Sequence, residues 1–112
     1  MLLLAVAMCM NFAACSDDGP EVPASITGTT WEGVDEYGYR MVVEVETSTG
    51  GEFSVYEPET NRLYYRMDFT YLFSRESGEV IVQLDYDVLT GQIDGDVLTI
   101  DYYGTTLTFD KR

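Results

Sequence analysis

The chain of 112 residues contains no histidine, only two cysteines and six basic residues. Each shortage removes a class of function. Without histidine there is no ordinary general base near neutral pH and no imidazole metal ligand. Both cysteines, Cys9 and Cys15, fall in the first fifteen residues, so everything after them is without a disulfide, a thiolate metal site or a cysteine nucleophile. Six basic residues stand against twenty acidic ones, a net charge of −14. Such a chain repels nucleic acid and anionic lipid surfaces, so neither is expected as a partner. The only catalytic machinery left would be a pair of carboxylates. With twenty acids some pair always falls at a suitable distance, so no enzyme is expected. The acidic pairs Asp85/Asp87 and Asp94/Asp96 could offer oxygen ligands to calcium. Their spacing is not that of a calcium-binding loop, and Asp beside Gly is ordinary turn chemistry, so no metal site is assigned.

Long hydrophobic runs are also scarce. The longest uncharged stretch before Cys15 covers residues 1–14, too short for a membrane-spanning helix of about 20 residues. It has the length of a secretory leader's apolar region, with Ala13 and Ala14 supplying small residues ahead of Cys15. A buried N-terminal helix is the alternative, but the polar "SDDGP" cuts the run off from the rest. The tract "FAACSDD" resembles the lipobox of bacterial lipoproteins, in which the cysteine is acylated and becomes the new N-terminus. Ser16-Asp17-Asp18 is similar to the acidic signal that carries Bacteroidetes lipoproteins to the outer face of the outer membrane. The resemblance implies a signal peptide over 1–14, lipidation at Cys15 and a cell-surface location in the outer membrane. Acyl chains gain about 0.8 kcal/mol per buried methylene, so several together anchor stably. Cys15→Ser is expected to leave the domain folded while moving it out of the membrane fraction; a variant still membrane-bound would argue against lipidation. Residues 15–25, with two prolines and little to bury, read as a mobile tether.

From Ile26 onward Val, Ile, Thr, Tyr and Phe dominate, Gly and Asp punctuate, and no helical period is sustained. Eight strands are expected: "TTWEGV" (29–34), "YRMVVEVE" (39–46), "EFSVY" (52–56), "RLYYRMDFTYLFS" (62–74), "EVIVQLDY" (79–86), "VLTGQI" (88–93), "DVLTID" (96–101) and "TTLTFD" (105–110). Their alternation puts Met41, Val43, Phe53, Leu63, Met67, Phe69, Phe73, Leu98, Ile100, Leu107 and Phe109 on one apolar face, the mark of an antiparallel sheet with one wet side. The connections have no room for crossover helices, so neighbouring strands must form hairpins, with Asp94-Gly95 expected as a type I′ turn. A meander this small avoids two exposed edges by curling into a barrel or half-barrel over 26–112. "ITGTTWEG" followed by a meander ending in "DGDVLTIDYYGTTLTF" resembles the small lipocalin-like lipoproteins of Bacteroidetes. The resemblance implies a lipocalin-like β-barrel, a group in which some relatives carry small apolar ligands.

Trp31, the only tryptophan, is expected to plug the barrel bottom with its N–H on a backbone acceptor. The nine tyrosines are the strongest binding signal, because Tyr orders cheaply and offers both a ring and a hydroxyl. Tyr37, Tyr39, Tyr64, Tyr65, Tyr71 and Tyr103 are the candidate contacts, with Tyr37, Tyr39, Tyr64 and Tyr103 expected to be exposed. Two functions fit. One is a surface-anchored module binding a small apolar or carbohydrate ligand, which needs a cavity of several hundred Å³. The other is a protein-interaction module, inhibitor or accessory subunit, with a filled core. The size of the inward set leans toward a filled barrel.

Overall fold

A computed structural model of the chain describes residues 19–112; the expected signal peptide over 1–14 and the expected lipidation site Cys15 lie outside the described residues. Eight strands follow one another: β1 (Thr30–Val34), β2 (Arg40–Val45), β3 (Gly50–Tyr56), β4 (Leu63–Phe73), β5 (Glu79–Gln83), β6 (Val88–Asp94), β7 (Val97–Tyr102) and β8 (Thr105–Lys111). Each pairs antiparallel with the next, and β1 pairs with β8 through Trp31↔Lys111 and Glu32↔Asp110, which closes the sheet into a barrel. Closure removes both sheet edges at the seam. No helix occurs among the described residues. The all-β meander expected from alternation is the observed fold, and of the two shapes considered it is the closed one.

The strand directions divide the loops between two ends. Loops 35–39, 57–62, 84–87 and 103–104 gather at one end, and loops 46–49, 74–78 and 95–96 with the segment before β1 at the other. The second end is the floor. Ile26, Trp31, Ile93 and Phe109 are almost inaccessible there, between 0% and 3% exposed. The end of the expected tether is held rather than free. Glu21 N–H donates to Asp94 Oδ1 at 2.9 Å, and Gly95 N–H donates to the Glu21 carbonyl at 2.7 Å. Ile26 then turns into the core because a β-branched apolar side chain has nowhere better to go than the barrel's open bottom.

Several local expectations are corrected. The fifth strand ends at Gln83, not at 86, because Leu84 N–H donates to the Asp87 carbonyl and turns the chain. The Asp94–Val97 hairpin places its two loop residues at Gly95 and Asp96, and only Gly95 has positive φ (+62°). That pattern is type II′, and the type I′ turn lies instead at Tyr103-Gly104, with φ of 51° and 88°. Leu63 is not inward but 47% exposed. The reason is a register shift between Val55 and Tyr56: Val55 opposes Tyr65 while Tyr56 opposes Leu63, leaving Tyr64 as the bulged residue. A bulge reverses side-chain parity beyond it, so the alternation that holds from Tyr65 to Phe73 fails at Leu63.

The inward set also fails to fill the barrel. Three positions that alternation places inward are glycines, Gly33, Gly51 and Gly91, and others are valines. At those glycines a neighbouring backbone carbonyl approaches to 2.4, 2.0 and 2.7 Å of where a Cβ would stand. They let the strands coil tightly but contribute no side-chain volume.

Candidate functional site

The barrel encloses a cavity of about 780 Å³ that runs from Trp31 and Ile26 at the floor to the loop-rich end. An eight-stranded barrel is near the size at which the interior either fills with side chains or holds one small ligand. Burial of the inward residues falls along the axis. Ile93, Leu98 and Phe109 near the floor are buried, whereas Phe53, Met67, Val82, Leu89 and Leu107 point inward yet remain only half-buried. Inward residues short of burial are what an open cup produces, because their tips face the cavity rather than one another.

The mouth is widened on one side. β4 pairs with β3 over most of its length but meets β5 only through residues 70–73. Among the described residues, its stretch 63–69 therefore has a strand on one edge and none on the other. Every tyrosine except Tyr71 lies at this end of the barrel. The bulge turns Tyr64 toward the cavity beside Tyr65, so Tyr39, Tyr64, Tyr65 and Phe53 form a continuous chain of rings, with centroid separations of 5.3, 5.6 and 6.2 Å. Tilted and edge-on contacts at these distances suit the ring quadrupole.

The tyrosines singled out in the sequence divide by position. Tyr37, Tyr39, Tyr64, Tyr65 and Tyr71 line the cavity, and Tyr103 does not. Tyr37, Tyr64 and Tyr103 are exposed, while Tyr39, expected to be exposed, is half-buried against Tyr64. Tyr71 belongs to the floor, and its hydroxyl donates to the Thr47 carbonyl at 2.7 Å. Trp31 is 1% exposed at the floor, and its indole N–H donates to Thr29 Oγ1 at 2.8 Å rather than to a backbone carbonyl. Tyr103 packs edge-on against Tyr102 and its hydroxyl donates to Asp87 Oδ1.

Sequence reasoning missed four mouth residues: Asp35, Glu36, Asp87 as a lining residue, and Tyr102. Asp35 had a local signal, since an Asp opening a short loop accepts backbone N–H groups. Its Oδ1 accepts from Tyr37 N–H and Tyr39 N–H, each at 2.9 Å. Of the two calcium-like pairs, Asp94/Asp96 is otherwise engaged: Asp94 receives Glu21 N–H, and Asp96 faces Lys111 Nζ at 3.4 Å. On the outer wall Glu44, Glu52 and Asp68 stand in one cross-strand row. Arg66 meets Glu52 there at 3.5 Å, offsetting part of the like-charge repulsion.

Two mouth tyrosines hold their protons more tightly than usual. Burial raises the Tyr65 hydroxyl above 10.0, helped by Tyr102, Tyr64 and Asp35. The hydrogen bond to Asp87 raises that of Tyr103. Both ionise later in the fold than in the unfolded chain. Their contribution to stability is whole below pH 10 and is lost as pH rises through the folded values. Melting is therefore expected at lower temperature at about pH 11 than at about pH 9, with a smaller gap in Tyr103→Phe. Equal gaps in the two proteins would show that the Tyr103–Asp87 bond does not couple to folding.

Comparison of the chain with protein-family models, with curated proteins and with solved structures finds no match, so the functional reading rests on the geometry of the cavity.

Proposed function

We propose that this protein is a non-enzymatic binding module that takes one small apolar ligand into its barrel. The carrying observation is the cavity itself, about 780 Å³ and open at the tyrosine-lined end. That volume lies within the range of small-molecule pockets. The walls below the mouth are mainly Val, Leu, Ile, Met and aromatic residues with Thr108 beside them, and no charged residue is among the described residues there. This composition favours an apolar body over a carbohydrate, whose many hydroxyls would find few partners there. The filled core that a purely protein-binding module would have is not supported. The sequence tract around Cys15 supports a lipid anchor that would hold the module on a bacterial outer membrane, with the barrel facing outward.

The test uses an uncharged fluorescent probe, N-phenyl-1-naphthylamine, whose emission rises in apolar surroundings. The folded chain should bind it at one site. Val82→Phe/Leu107→Phe should weaken binding by about tenfold or more without lowering the melting temperature, because the added rings enter open space rather than displacing packed atoms. No binding to the native chain, or equal binding to the filled variant, would overturn the reading.

A further inference from the structure

We infer that the ligand carries a positive charge at one end of its apolar body, as a single-chain ammonium or amine amphiphile does, with the charged head at a mouth made of Asp35, Glu36, Asp87 and tyrosine rings. The inference rests on the reading of the cavity as a binding site and adds the chemistry of what enters it.

Among the described residues, the charged ones lining the cavity are three carboxylates, Asp35, Glu36 and Asp87, with no Lys or Arg. They come from two different loops, 35–39 and 84–87, which only closure of the barrel brings to one rim. The four mouth loops together hold Asp35, Glu36, Glu57, Glu59, Asp85 and Asp87 against the single base Arg62. Arg62 is already paired with Glu57 at 3.9 Å. Arg40, at the start of β2, is tied to the outer wall. It meets Glu32 at 3.2 Å, donates to Asn61 Oδ1 at 3.2 and 3.1 Å, and lies 4.3 Å from the centre of the Tyr56 ring.

The rim carboxylates are placed to receive a cation. Asp35 is fixed through Oδ1 by two backbone N–H groups, and among the described residues no hydrogen bond engages its Oδ2. Glu36 has no ion-pair partner among the described residues and is exposed at the loop tip. The rings of Tyr37, Tyr39, Tyr64, Tyr65 and Tyr102 line the same cavity as these acids. Aromatic faces attract a cation and do not attract an anion, and clustered rings are a recurring means of binding quaternary ammonium groups. The field of Asp35 reaches across the mouth to the Tyr65 hydroxyl on β4 and helps hold its proton. Like-signed groups around a low-dielectric opening reinforce one another. A fatty acid of the same chain length would bring a fourth carboxylate to this rim and meet repulsion. Deeper in the barrel the walls turn apolar, so the head stays at the rim while the chain extends toward Trp31.

Three probes with the same twelve-carbon chain separate the alternatives: dodecyltrimethylammonium, 1-dodecanol and dodecanoate, each below its aggregation concentration. Trp31, the single tryptophan and a floor residue of the cavity, reports binding to the full chain by its fluorescence. The ammonium probe should bind about tenfold more tightly than the alcohol, and the carboxylate more weakly than either. The preference should shrink as salt is raised. In Asp35→Asn/Glu36→Gln/Asp87→Asn the three affinities should converge to within about threefold. Glu36→Gln alone, at an exposed loop position, should narrow the preference without any risk to folding. Equal binding of the three probes to the native chain, or tighter binding of dodecanoate, would overturn the charge inference while leaving the apolar cavity reading intact. Failure of all three to bind would overturn that reading as well. Ammonium binding that persists in Val82→Phe/Leu107→Phe would mean adsorption to the acidic exterior, and would also overturn the inference.

Discussion

Trp31→Ala is expected to destabilise the barrel by about 3–5 kcal/mol, a large part of the roughly 5–15 kcal/mol that holds a domain of this size together. The indole is 1% exposed and sits on β1, opposite Val43 of β2 on one side and Lys111 of β8 on the other. The β1–β8 seam has only two register pairs, and Trp31 is in one of them. Removing the ring therefore opens a void where strand pairing is shortest and where the floor must seal beneath the cavity. The surrounding floor is built from Ile26, Ile93 and Phe109, none long enough to collapse into the space of an indole. Trp31→Phe should cost less, since a ring remains and only Thr29 Oγ1 loses its donor. Urea unfolding followed by circular dichroism measures both, because the variants lose the fluorescent reporter. A Trp31→Ala loss below about 1 kcal/mol would show that the indole does not close the barrel.

Gly51→Val is expected to be nearly as damaging for the opposite reason. A Cβ at position 51 would stand 2.0 Å from the Glu44 carbonyl oxygen and 2.8 Å from Phe69 Cζ. The phenyl ring can rotate away, but the carbonyl belongs to the β2 backbone, so the β2–β3 ladder must separate. Overpacking in a core usually costs about 1–3 kcal/mol, and a clash with paired backbone belongs at or above the top of that range. For a domain of this length that corresponds to a fall in melting temperature of about 10–20 °C. Alanine at the inward glycines should rank by the closeness of the opposing carbonyl, with Gly51 worst, then Gly33 at 2.4 Å, then Gly91 at 2.7 Å. A Gly51→Ala protein that melts with the native chain would mean that the strands are not coiled as described.

These two sites mark the boundary of what alternation reveals. Trp31 was readable as a plug because a lone tryptophan beside a run of β-formers at the start of a meander has few other uses. The inward glycines were not, because a glycine in a strand has no side chain to declare which face it occupies. Leu63 was misread for a related reason. Its apolar character continues the alternation of the strand, and only the opposing strand's register, slipped at Val55/Tyr56, reverses it. The mouth acids were hidden for a third reason. Asp35, Glu36 and Asp87 look like ordinary turn residues in separate loops, and about fifty positions of chain divide the first from the last.

The amino-acid sequence by itself determined the strand count, the hairpin order and which face of most strands is apolar. Each of these depends on neighbours two to six residues apart, through the two-residue period of a strand and the backbone freedom of Gly, Asn and Asp at turns. Only the tertiary structure decided that the sheet closes, that residues 21–26 run across its floor, and that the interior stays open. Closure and cavity volume depend on the tilt and stagger of all eight strands together, and no window of sequence short enough to read contains that sum.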